Sequence, residues 1–172
     1  ARGGYGSVRI LDKLDFTKFI KNPKWVIGYS DITAFHNHIH NLGVESMHGM
    51  MGSSLGDELK DIKETVSSFK KVLFGEDLSY TIPSSKYNRG VSLLSSVKIV
   101  EGQVIGGNLA ILASMLGSES QLNTEGKILF IEEVGEYKYA IDRMLQSLKR
   151  AKYFTKVKAV VVGNMTKVKK NT

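Results

Sequence analysis

The 172 residues, 42% hydrophobic and 24% charged, are enough to bury a real core and match one ordinary globular domain or two small ones, which excludes disordered and collagen-like chains. The absence of cysteine excludes disulfides, thiolate metal sites and cysteine nucleophiles, and no apolar run approaches the ~18 residues that span a bilayer. The formal charge of +7 reflects lysines concentrated in three runs, Lys60 to Lys71, Lys149 to Lys158 and Lys167 to Lys170, with no aromatics interleaved in a stacking pattern; they read as solvated helix faces or ends, so no nucleic-acid partner is expected.

In chain order, a glycine loop at Gly3 to Gly6 precedes a helix near Phe16 to Lys21 and an apolar strand at Trp25 that stops at Gly28. A turn carries Tyr29-Ser30-Asp31 into a helix from Ile32 to Asn41, and a lysine-rich helix spans Leu59 to Phe74, with Gly75 as its left-handed cap. Gly75 to Gly102 is mixed and polar, with Pro83-Ser84-Ser85 and Asn88-Arg89-Gly90, and reads as a connection with short strands. Beyond it come a helix from Asn108 to Leu116 closed by Gly117, a strand Lys127 to Ile131, a helix Tyr139 to Arg150 and a strand Val157 to Val162. Both later strands are continuous apolar runs, the pattern of strands covered on both faces. The expected fold is α/β: a layered N-terminal domain with a parallel, Rossmann- or flavodoxin-like sheet (1–75), a connection (76–102) and a smaller C-terminal α/β domain (103–172).

Two spots carry candidate chemistry. Ser30 stands at the carboxyl end of a strand, where open α/β sheets bind ligands and where a sharp strand-to-helix turn can expose a nucleophilic serine. A second glycine two residues after the serine would complete that pattern, and the position holds Ile32. The other reading is that Ser30 or Asp31 caps the following helix. After the Ile131 strand, Glu132, Glu133 and Glu136 cluster negative charge, either to orient a base or to favour the dipole of the next helix. Because adjacent residues of a strand point to opposite sides, Glu132 and Glu133 cannot serve one histidine together. His36 and His40 share a helix face from which His38 points away; lacking a third ligand, they are not expected to bind metal.

Six blocks, Arg2-Gly-Gly-Tyr-Gly6, Gly28-Tyr-Ser-Asp-Ile-Thr33, His48-Gly49, Gly106-Gly-Asn-Leu109, Lys127-Ile-Leu-Phe-Ile-Glu-Glu-Val134 and Ile141-Asp-Arg-Met-Leu145, occur in the order and approximate spacing of one family. In them the chain resembles the LD-carboxypeptidases, serine peptidases that include the microcin-immunity enzymes. The resemblance implies hydrolysis of an L,D-peptide bond in peptidoglycan tetrapeptides by a Ser-Glu-His triad, in the cytoplasm during cell-wall recycling. It implies no cofactor and no membrane partner, a muropeptide as substrate and a homodimer as an assembly to test. By the same resemblance, Ser30 matches the nucleophile and Glu132 the triad carboxylate, while the N–H groups of Asp31 and of the Gly3-Gly4 loop match the oxyanion hole. Tyr5, His48 and Asn108 match substrate-binding positions.

The family's triad histidine lies in a glycine-rich segment after the strand that here is Val157 to Val162, and none of His36, His38, His40 or His48 matches it. Met50 stands where relatives usually have proline, and Ala140 where many carry a larger polar residue, departures that bear on substrate preference. The expectation is therefore that these residues are the middle of a longer protein and inactive by themselves, with two alternatives: a microcin-immunity-type hydrolase of peptidyl or aminoacyl nucleotides, or a noncatalytic muropeptide-binding domain.

Overall fold

The computed structural model describes residues 3–56, 59–81 and 99–170. They divide into two compact units, Ala1–Gly52 with Gly102–Thr172, and Ser53–Glu101.

In the larger unit the chain runs through α1 (Val8–Leu11), α2 (Thr17–Lys21), β1 (Ile27–Gly28), a 3-10 turn (Ser30–Ile32), α3 (Thr33–Asn41) and β2 (Met47–His48). After the second unit it continues with β3 (Val104–Asn108), α5 (Leu109–Ser114), β4 (Ile128–Val134), α6 (Lys138–Arg150) and β5 (Ala159–Thr166). Among the described residues the strand pairs are parallel: β1 with β2, and β3-β4-β5 with β4 central. The α/β class and its parallel sheets thus hold.

The helices form where local sequence favours them. In α6, Ile141, Met144, Leu145 and Leu148 recur at helical spacing and pack on the core, where Leu129 and Ile131 of β4 are essentially fully buried. The α5 helix starts where the Asn108 side chain accepts from Ile111 N (3.2 Å), and the segment ends at Gly117, whose φ of +81° suits glycine. Tyr153, 2% exposed, closes the core's far end, its hydroxyl accepting from Leu122 N.

Three features differ from the sequence reading. The strand expected at Trp25 is reduced to Ile27–Gly28, because its partner β2 is only two residues long, and Trp25 is exposed. β3 was not expected, because its Val-Ile-Gly-Gly-Asn sequence does not look like a strand. Its glycines are demanded by neighbours: a Cβ on Gly106 would run into the Phe130 carbonyl oxygen, and one on Gly107 would lie 2.6 Å from Thr33 Oγ1. Nor are the two apolar runs covered on both faces. β4 alternates between buried and half-buried positions, and β5 is largely exposed, Val162 most among its valines at 62%. Among the described residues β5 pairs with β4 on one flank and lies at the edge of the sheet, and its valines carry little packing on their faces.

The β4–β5 ladder slips once. Ile131 pairs with Val162, but Glu133 pairs with Met165, so Gly163 and Asn164 face the single residue Glu132 as a β-bulge.

The second unit contains α4 (Leu59–Leu73). Ile62, Val66 and Phe69 form its less exposed stripe while Lys63, Lys70 and Lys71 are solvated, as expected of the lysine run. Gly75, at φ +73°, ends the helix, with Glu76 N donating to Lys71 O (2.9 Å). The short strands expected around residues 83–90 lie outside the described residues. No described helix is long and apolar enough to cross a membrane.

Candidate active site

The turn after β1 is backbone-strained at one residue. Tyr29 is extended, and Ser30 takes φ +60°, the left-handed region that costs a non-glycine residue ~1–2 kcal/mol. The chain then enters the 3-10 turn and α3. Gly28 makes the turn feasible, since a Cβ there would lie 3.0 Å from Ile32 Cγ1 and 3.2 Å from its Cβ. The bulky Ile32 therefore sits where a second glycine was sought because Gly28 yields the space.

The cap positions of the turn and of α3 are Tyr29 and Ile32, which make no side-chain cap bond, and Asp31 caps neither, its Oδ1 having no hydrogen-bond partner among the described residues. Asp31, 4% exposed, instead accepts from Ser7 N (3.0 Å) and Ser7 Oγ (2.7 Å) through Oδ2, tying the glycine loop to the serine turn. Gly3 lies against the turn, a Cβ on it coming 3.5 Å from Ser30 Cβ, and its N–H meets Met51 Sδ at 3.2 Å, a weak acceptor. Gly4 has φ +139°, a conformation that favours glycine. Tyr5 is exposed at the rim with the Arg9 guanidinium 4.9 Å above its ring.

The remaining candidates gather at the carboxyl ends of β2, β3 and β4. His48 pairs with Gly28 in the ladder, and its ring centre lies 5.4 Å from Phe130 and 5.9 Å from His36. Part of His48 reaches solvent, yet loss of hydration on its packed side, with repulsion from His36, pushes its pKa down to about 4. Asn108 is buried with both ends of its carboxamide engaged, Oδ1 by Ile111 N and Nδ2 donating to Glu133 Oε1 (3.0 Å). Its own N–H donates to Thr33 Oγ1 (3.0 Å), which links the start of α3 to β3.

The two glutamates separate by side of the strand. Glu133 is buried and accepts from Asn108 Nδ2, Ala110 N and Val134 N at 2.8–3.0 Å, so it anchors the N-terminus of the preceding helix α5. The dipole partner is thus not the following helix, whose first turn holds no acidic residue. Glu132, paired with Asn108 and half-buried, keeps Oε1 out of solvent with no hydrogen-bond partner among the described residues. Burial pushes its carboxyl above the ordinary value; the Asn108 carboxamide opposes this and the neighbouring Glu133 charge reinforces it. Gly163 leaves room beside it, for a Cβ there would lie 3.3 Å from Glu132 Cβ and 2.9 Å from the Phe130 ring.

Sequence reasoning missed Ser7, Thr33, His36 and Gly163. The isolated glycine in Val160-Val-Val-Gly163 was a usable signal of close approach; the other three are defined by partners distant in sequence. The arrangement offers a strained serine hydroxyl, backbone donors beside it, and a carboxylate with an unused oxygen at the next strand ends, parts from which acyl transfer is built.

Comparison with known proteins agrees with this geometry. Residues 1–49 match the LD-carboxypeptidase N-terminal domain and residues 101–172 the LD-carboxypeptidase C-terminal domain. The chain is 39% identical over 165 residues to the probable murein peptide carboxypeptidase of Bacillus subtilis (strain 168), covering 94% of this chain and 50% of that protein. It is 33% identical to the microcin C7 self-immunity protein MccF of Escherichia coli, covering 94% of this chain and 54% of that one. The crystal structure of muramoyltetrapeptide carboxypeptidase from Oxalobacter formigenes superposes with a TM-score of 0.78 at 32% identity, over 98% of this chain and 55% of that one. The chain thus spans about half the length of the relatives it matches. With two domain profiles matched in order along most of its length, the chain belongs to the LD-carboxypeptidase family.

Proposed function

We propose that these residues carry the nucleophile and the triad carboxylate of a serine LD-carboxypeptidase that removes the terminal D-alanine from peptidoglycan tetrapeptides in the cytoplasm. The observation that carries this reading is the left-handed conformation of Ser30 at a strand-to-helix turn, next to an Asp31 whose carboxylate is bonded to Ser7 and not to a helix end. In this reading the part of the chain up to about residue 75 supplies Ser30 and the part from about 103 supplies Glu132. Ser30 Oγ attacks the scissile carbonyl, and its proton passes to a histidine from outside these 172 residues. Glu132 Oε1, free of other partners, receives that histidine's N–H and fixes its tautomer. The Asp31 N–H and one N–H of the Gly3-Gly4 loop hold the oxyanion; collapse expels the D-alanine amine as it takes the proton from the histidine, and water, giving a proton to that histidine, then attacks the acyl-enzyme and returns the proton to Ser30 Oγ as the acid leaves. His36 does not suit the role of base, because both ring nitrogens are already bonded. Tyr5 and His48 stand beside the substrate, while Asn108, expected there too, is buried and acts from behind by fixing Glu133 and the start of α5.

Likeness to MccF favours a second reading, hydrolysis of a peptidyl or aminoacyl nucleotide by the same groups. A noncatalytic muropeptide-binding domain has less support, since binding alone gives no reason to hold a serine in a strained turn. The test is Ser30→Ala in the full-length gene product, assayed for D-alanine release from tetrapeptide and for cleavage of an aminoacyl sulfamoyl nucleotide. Turnover should fall ~10⁶-fold with unfolding unchanged; retention of a tenth of the wild-type rate overturns the assignment, and the substrate that wild type cleaves chooses between the enzyme readings.

A further inference from the structure

His36 has no part in that mechanism, yet it is 6% exposed and bonded at both ring nitrogens. Nε2 lies 2.9 Å from the Gly28 carbonyl oxygen and Nδ1 2.8 Å from Ser46 Oγ. A carbonyl can only accept, so Nε2 carries the hydrogen, and in the neutral ring Nδ1 accepts from the Ser46 hydroxyl; the tautomer is assigned from these partners. Burial also holds the His36 pKa below its ordinary value, in keeping with a neutral ring. The Gly28 carbonyl has a second donor in Gly49 N at 3.0 Å.

That carbonyl belongs to the Gly28–Tyr29 peptide plane, from which the chain passes through Tyr29 to the positive φ of Ser30. Ile32 closes over Gly28 from the other side of the turn. We propose that His36 is a positioning residue for the Ser30 nucleophile: its Nε2–H, steadied by Ser46, locks the Gly28 carbonyl and thereby holds the strained turn in its attacking conformation. The proposal rests on reading Ser30 as the nucleophile. Without this donor the Gly28 carbonyl is left to the Gly49 N–H, the peptide plane is held from one side instead of two, and Ser30 drifts from its strained φ and carries its hydroxyl off the line of attack. Among the groups placed around the substrate His48 neighbours His36, 5.9 Å between ring centres, but it keeps its own side chain, so the loss falls more on kcat than on KM.

The test compares His36→Gln, His36→Asn, His36→Leu and Ser46→Ala in the full-length gene product, with Ser30→Ala as the reference and circular dichroism and thermal unfolding recorded for each. A glutamine amide reaches about as far as Nε2 and keeps the donor to Gly28; an asparagine amide reaches only the Nδ1 position, and leucine supplies neither. His36→Leu and His36→Asn should lose ~100-fold in kcat, the penalty of an ångström-scale misplacement, with KM little changed. His36→Gln should recover most of the rate, and Ser46→Ala should lie between. If folded His36→Asn matches His36→Gln in kcat, or if KM rises while kcat holds, His36 is not positioning the serine. Should His36→Leu fail to fold, the Gln and Asn pair with Ser46→Ala still decides. An active Ser30→Ala overturns the reading of the nucleophile and this proposal together, whereas an inactive Ser30→Ala beside a fully active His36→Asn overturns this proposal alone.

Discussion

Adjacent glutamates on β4 have been given unlike work by the alternation of a strand. Glu133 faces inward and is saturated by three N–H donors, so Glu133→Gln puts an amide N–H against Ala110 N or loses its charge-assisted bonds; a destabilisation of ~2 kcal/mol is expected, with the rate per folded molecule nearly kept. Glu132→Gln should do the reverse. Its pKa is raised in the fold, so the folded state favours the neutral acid, and the stability this gives below the ordinary value of 4.5 is lost as pH rises through the raised value. An uncharged glutamine escapes that loss. In the full-length product Glu132→Gln should abolish turnover, and in the 172-residue chain, where the partner histidine is absent, it should unfold at a higher temperature than the unsubstituted chain at neutral pH, the gap closing as pH falls below 4.5. Thermal scans from pH 4 to 8 check this; a Glu132→Gln variant less stable than wild type at pH 7 contradicts it.

At the scale of elements, the parts readable from sequence were those whose cause is local. The α3 and α6 helices, and the strand that became β4, follow from spacing, length and apolar runs within a single window. β3 was hidden because its glycines answer to Phe130 and Thr33, residues of other elements, and the exposure of β5 was hidden because a run of valines does not record which of its faces has a neighbour. Ser30 was placed at the turn, but its left-handed backbone, on which the proposed role as nucleophile rests, is not written in the residues beside it. The contrast between the two apolar runs is measurable. Leu129→Ala empties a fully buried site and should cost ~2–5 kcal/mol, whereas Val160→Ala, at a 41% exposed position, should stay within about 1 kcal/mol in urea unfolding. Equal losses would mean that β5 is as enclosed as β4.

For the whole molecule the histidines set the acid limit. Burial lowers the pKa of His36, His40 and His48 from 6.5, with Lys127 adding to the effect at His40 and His36 adding to it at His48, which reaches about 4. The unfolded chain binds these protons at higher pH than the fold does, so the stability they represent is complete above 6.5 and is lost as pH falls toward 4. The midpoint of thermal unfolding should drop across that window, and replacing His48 by Gln should flatten the drop; a midpoint that holds constant from pH 7 to 4.5 would rule this out. The bulge opposite Glu132 has a consequence of another kind. Because Ile131–Val162 and Glu133–Met165 are matched on either side of it, removing Asn164 would leave every one of those pairings in place. What Asn164 supplies is one residue more than the ladder needs, which bends and twists β5 beside the carboxylate, so its loss would straighten the strand there without shifting the register on either side.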